Sequence, residues 1–169
     1  MGPVTAIDPA DRLLRHAHCD GSVRPGHLLP RDLEATTLVG HLLGTVPPDA
    51  VVCLDSAWAV HTSAGELPPG PVHIVPGGHI PPLAPGVRVY RCALPPAHVA
   101  SVGSLLLTTA ERTLVDLARL APLPAAAQAC VTARSFLAPD PVREVLDSQC
   151  GLKGIPRARR LLEMVFFGP

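Results

Sequence analysis

The stretch from Leu105 to Ala118, LLLTTAERTLVDLA, constrains this chain most, because an apolar run stops at two threonines and turns at once into a patterned helix. Thr108 and Glu111 have the Thr-x-x-Glu spacing of a capping box, in which the hydroxyl accepts a first-turn amide and the carboxylate reaches back to the cap. Leu105 to Leu107 therefore read as a short buried strand. Leu114, Leu117, Ala118 and Ala121 recur at helical spacing and predict a packed helix, with Arg112 and Asp116, four apart, paired on its flank.

The remaining elements follow from punctuation and periodicity. Asp8 to Arg15 predicts a short helix with Pro9 at its first position, and Asp20 to Pro30 a Gly/Pro-rich loop. Arg31 to Leu43 carries Leu33, Thr37, Leu38, His41 and Leu42 at helical intervals and predicts an amphipathic helix ending at Gly44. Val51 to Leu54 reads as a strand, followed by a short helix capped by Asp55 or Ser56 that buries Trp58 as a core anchor. Val72 to Val75 and Val87 to Cys92 are β-rich and predict a long-looped hairpin, and Gly103 with Ser104 joins Val99 to Val102 to Leu105 to Leu107. Pro124 to Phe136, Asp140 to Gln149 and Arg157 to Val165 predict three further helices. The sum is an α+β protein or a three-layer α/β one: a small mixed or antiparallel sheet, several helices and a helical C-terminal half.

Composition narrows the function classes. With 169 residues, 47% of them hydrophobic, the chain has the size of one domain or one with a small appendage, and ample material for a core. The 14 basic and 14 acidic residues give no global field to hold a polyanion. With one Trp, one Tyr and three Phe, a stacking platform for single-stranded nucleic acid is not expected. The start has no basic segment followed by an apolar one, and no run of eighteen apolar residues occurs, so a cytoplasmic protein without a membrane partner is expected. Cys19, Cys53, Cys92, Cys130 and Cys150 are far apart and read as buried hydrophobes or free thiols.

Candidate chemistry is sparse. His16, His18, Cys19 and Asp20 offer ligand atoms for zinc or nickel, with His27 and His41 able to complete a set, but neighbours along a chain converge only if a loop wraps the ion; no metal or other cofactor is expected. Ser56 or Cys53 with His61 and Asp55 supply the atoms of a triad but lack a nucleophile elbow, and positions five apart on a helix lie on different faces, so no catalytic residue is assigned. Gly77 to His79 lacks the helix and Lys-Ser/Thr of a phosphate loop. Lys153, Arg157, Arg159 and Arg160 form the one local basic patch, a candidate phosphate contact or a solvated helix face. Phe166 and Phe167 either tuck into the core or form a protein-binding patch.

The segment Thr109, Ala110, Arg112, Thr113, Leu114, Asp116, Leu117, Ala118 also resembles the motif (S/T)-x-A-R-T-L-x-D-L-A of the AbiEi-like antitoxins of type IV toxin-antitoxin systems. In that family the motif follows a strand and helix, two short strands and a proline-containing turn. Their counterparts here look like Val51 to His61 (VVCLDSAWAVH), Val72 to Pro76 (VHIVP), and Gly86 to Arg91 (GVRVYR) with Leu94, Pro95 and Pro96. Order and spacing agree from Pro48 to Leu162, about two thirds of the chain.

The resemblance implies the middle or C-terminal antitoxin domain over residues 47–169. It also implies a non-enzymatic protein that opposes a nucleotidyltransferase-like toxin without a stable complex and represses its own operon through promoter DNA. Family members commonly open with a winged helix-turn-helix, for which residues 1–46 are expected to be a degenerate helical appendage. Many continue into a nuclease domain resembling very-short-patch repair enzymes, which is expected to be absent. The alternatives are a non-catalytic remnant of such a nuclease fusion, and an interaction module that forms a homodimer through its C-terminal apolar residues.

Overall fold

The computed structural model describes residues 30–64, 66–76 and 82–168, so the predicted helix Asp8 to Arg15 and the group His16, His18, Cys19, Asp20 and His27 lie outside the described residues. Helix α1 (Pro30–Thr45) leads to β1 (Val51–Cys53), α2 (Leu54–His61), β2 (Val72–Val75) and β3 (Val87–Val89). After a 3-10 turn at Pro96–His98 come β4 (Val99–Val102), β5 (Leu105–Thr108), and helices α3 (Ala110–Leu120), α4 (Leu123–Ala133), α5 (Pro139–Ser148) and α6 (Ile155–Val165). The strands form one mixed sheet in the order β3-β2-β1-β5-β4. This is the expected α+β class, with a helical C-terminal half. None of the described helices is long and apolar enough to cross a membrane.

Strand alternation divides the apolar residues between two faces. Val52, Val72, Ile74, Val87, Leu105 and Leu107 pack with Leu38, Val39 and Leu42 of α1. Val51, Cys53 and Val75 pack with α3 to α6 on the other face. Helix α2 contributes Leu54 to the second cluster and Ala57, Ala59 and Val60 to the first, so it straddles both. It also occupies the carboxyl end of the parallel pair β1 and β5, where open parallel sheets usually receive a ligand. The His61 ring nitrogen Nε2 sits 2.7 Å from the carbonyl of Thr108, the last residue of β5, and fastens α2 there.

Several local expectations are corrected. β2 and β3 are parallel, with Val72 opposite Val87, and not a hairpin. The proline-rich connection carries the chain back to the end where β2 begins, which a turn of hairpin type does not do. Thr108 is the last residue of β5, because pairing with Val99 holds it in the ladder. The cap of α3 is Thr109, whose hydroxyl accepts the Arg112 amide at 3.3 Å, and Glu111 lies in the first turn without completing the box. Thr108 has another partner: its hydroxyl lies 2.6 Å from that of Thr113, which itself donates to the Thr109 carbonyl at 2.8 Å. Gly44 falls inside α1 instead of ending it, and α4 stops at Ala133, short of Phe136. Cys53, with no side-chain bond, stands at the cap position of α2 in place of Asp55 or Ser56. The turn from β1 to α2 places Leu54 at φ 55°, a left-handed conformation that costs an L-residue about 1–2 kcal/mol.

Candidate functional site

The centre of the molecule is polar. Arg112 and Asp116, expected on a helix flank, are each 1% exposed, and Arg112 is the largest fully buried side chain among the described residues. Trp58, expected as the buried anchor, is only partly buried, its ring 5.7 Å from that of Phe136. The stripe of α3 that carries Arg112 also carries Asp116 and Arg119, spaced four and three apart, so all three face the sheet and the neighbouring helices together. Asp116 accepts from Arg112 Nε at 2.7 Å and from Arg119 Nη1 at 2.5 Å, one carboxylate oxygen to each guanidinium.

Each guanidinium also reaches backbone and side-chain acceptors outside α3. Arg119 donates Nε and Nη2 to the Lys153 carbonyl, both at 3.2 Å, and Nη1 to Gln149 Oε1 at 3.1 Å. Arg112 Nη1 lies 3.1 Å from His98 Nδ1 and 3.5 Å from the Ala93 carbonyl. Arg112 Nη2 and Gln149 Nε2 are buried without a protein partner. One helix thereby ties down the connection before β4 and the connection before α6.

Two cations on one carboxylate leave a net positive charge in the interior, and the nearby ionisable groups sit in their neutral forms. Burial pushes the Cys53 thiol well up. It raises Cys92 as well, against the opposing pull of Arg112, and raises Tyr90 with help from Asp116. Cys130, elsewhere in the core, is raised to about 11 by burial alone. A nucleophile needs the opposite shift. His61, which with Ser56 or Cys53 and Asp55 has the atoms of a triad, has its pKa lowered chiefly by burial. Its Nε2 is engaged with the Thr108 carbonyl, while Ser56 is buried. The arrangement orders backbone, and burial keeps the neighbouring thiols of Cys53 and Cys92 protonated. His41 is exposed, and no group of three potential metal ligands occurs among the described residues.

The basic patch is only partly available for a partner. Arg157 donates Nη2 to the Ala121 carbonyl at 2.6 Å and Nη1 to the Arg119 carbonyl at 3.4 Å, closing the C-terminal end of α3. Arg159 pairs with Asp147 at 2.7 Å. Lys153 and Arg160 are exposed, and Arg160 makes no side-chain bond among the described residues. Phe166 is buried and Phe167 packs beside it, 5.2 Å between rings, with the Arg143 guanidinium 4.3 Å above the Phe167 ring. Phe166 therefore belongs to the core and Phe167, partly buried, packs against it, while Met164 stays 66% exposed.

Gly154 shows how closely the cluster is packed. It precedes α6 at φ +87°, and a Cβ there meets the Arg119 carbonyl oxygen at 3.0 Å. Gly151, at φ +88°, has open space. Gly154→Ala is expected to lose about 1–2 kcal/mol through the backbone and about 1–3 kcal/mol more through overpacking, whereas Gly151→Ala loses the first part alone. Urea midpoints of the two variants measure the difference, and equal losses would remove the packing explanation.

Arg119, Gln149 and His98 were not singled out from the sequence. Arg119 alone had a local signal, its place three residues beyond Asp116 on the same stripe. Set against known proteins, the chain matches no family model, no curated protein and no solved structure.

Proposed function

We propose that this protein acts by binding and not by catalysis, as an AbiEi-like antitoxin that represses its own operon and opposes a nucleotidyltransferase-like toxin in the cytoplasm. One observation carries the reading. Arg112, Thr113, Leu114, Asp116, Leu117 and Ala118, the heart of the motif behind the resemblance, are all buried in α3 and bonded or packed within the fold. Such a motif maintains a scaffold, and a scaffold acts through its surface. Further support comes from the way the other resembling segments assemble, since β1, β2 and β5 are neighbours in one sheet and α2 packs across its end.

Lys153 and Arg160 are the cations of the basic patch that remain free to meet phosphate. The test is a titration of the protein against duplex DNA from its own upstream region and against a random duplex, from low to physiological salt. Saturable binding at physiological salt that prefers its own sequence is the expected result. Lys153→Ala and Arg160→Ala should each weaken binding to both duplexes and flatten the salt dependence by about one unit of slope. Arg157→Ala should act mainly on stability. Absence of binding, or binding that is equal for both duplexes and vanishes with salt, would rule the repressor reading out.

A further inference from the structure

The connection between β3 and β4 joins opposite edges of the sheet. Four interstrand steps of about 4.8 Å have to be crossed, and residues 90–95, at up to about 3.3 Å each, reach that far before the 3-10 turn at Pro96–His98. Tyr90, Cys92 and Leu94 are partly buried and pack on the core beside α3, while Arg91, Ala93 and Pro95 are exposed, an alternation that lays one side of the segment on the core. Its start is held by the Tyr90 amide on the Ile74 carbonyl at 2.7 Å. Its end is held by the His98 carbonyl, which accepts the Thr109 amide at 3.0 Å. Arg112 also grips it, through the Ala93 carbonyl and through His98 Nδ1.

A guanidinium only donates and is always charged, so the 3.1 Å contact requires His98 Nδ1 to be an unprotonated acceptor. An imidazolium has no acceptor to offer and sets a second cation against the first. We propose that residues 90–98 are a proton-released strap: protonation of His98 breaks its bond to Arg112 and lets the segment lift from the buried Arg112–Asp116–Arg119 cluster. The proposal is independent of the antitoxin reading, and makes a surface over that cluster conditional on pH.

The charged groups facing His98 are Arg112 and Asp116, both from α3; β5, which pairs with β4, has no ionisable side chain. Burial first, and Arg112 second, lower the His98 pKa below its ordinary 6.5, with Asp116 opposing. The latched form therefore binds fewer protons than the released one. The stability the latch contributes is complete above pH 6.5 and declines as pH falls through that value toward the lowered one.

Hydrogen exchange at pH 7.5 and pH 5.5, corrected for the intrinsic rates, tests this on the amides of Tyr90, His98 and Thr109. The expected result is a several-fold rise in opening at the lower pH, with amides of β1 and β5 unchanged. In His98→Asn the amide oxygen takes the place of Nδ1 without titrating, and the rise should disappear. An equal rise in the variant would assign the effect to another group, such as His61, and overturn the proposal, as would unchanged strap protection in the natural protein. A second measurement needs no variant: strap opening has to rise within the pH range that ends where the His98 ring titrates by NMR, and a rise that continues below that titration would sink the idea.

Discussion

Replacing Asp116 by alanine is expected to cost about 3–5 kcal/mol, because it leaves two guanidiniums buried with no anion between them. Domains of this kind have about 5–15 kcal/mol in total, so the variant should be largely unfolded at modest urea or on slight warming. The loss should persist in salt, since screening reaches buried pairs poorly. Arg112→Met supplies the contrast. It removes one cation together with the unpartnered Nη2, fills much of the volume, and leaves the bond of Asp116 to Arg119 intact. Its cost comes from Asp116 Oδ2, the Ala93 carbonyl and His98 Nδ1, which lose their donor. Urea unfolding of both variants, compared at a common slope, should place Asp116→Ala well below Arg112→Met. The reverse order would mean that uncompensated charge is not what makes the cluster critical, and that the hold of Arg112 on the strap matters more.

The parts of the fold that could be read from the sequence are those specified by neighbours along the chain. The β4–β5 hairpin follows from Gly103 and Ser104, and Gly103 indeed takes a positive φ of 60°. α3 follows from its stripe. The misreadings have one cause, which is that the deciding contact was distant. Nothing local tells Thr108 from Thr109 as the cap; pairing of Thr108 with Val99 decides it. Arg112 and Asp116 look like an ordinary surface pair at four-residue spacing until distant segments close over the cluster, bringing His98 to Arg112 from 14 residues away and the Lys153 carbonyl to Arg119 from 34. The basic residues of α6 present the converse case. As a run they suggest one charged face, but Arg157 finds carbonyls of α3 and Arg159 an aspartate of α5. His98 could not have been selected at all, since its role exists only where the 3-10 turn sets it against Arg112.

Read from the sequence, residues 1–46 are an appendage, yet Leu42 is fully buried and, with Leu38 and Val39, covers Val52, Ile74 and Leu107 on one face of the sheet. Without that cover, a row of β-branched and leucine side chains at the centre of the sheet faces water, and each costs about 1.5–3 kcal/mol when exposed. Leu42→Ala should therefore destabilise the whole protein by about 2–5 kcal/mol, the range for a large aliphatic truncated in a well-packed core. Trp58 gives an unusually clean report, because it is the one tryptophan and packs on the opposite cluster, beside Phe136. If α1 and the sheet form one cooperative unit, the urea transition seen by Trp58 fluorescence shifts by the full amount and coincides with the transition seen by far-ultraviolet circular dichroism. If α1 is an appendage, helix signal is lost first and the Trp58 midpoint stays where it was. The packing of Leu42 against Leu107 and Ile74 argues for the first outcome, in which the sheet cannot be separated from the helix that precedes it.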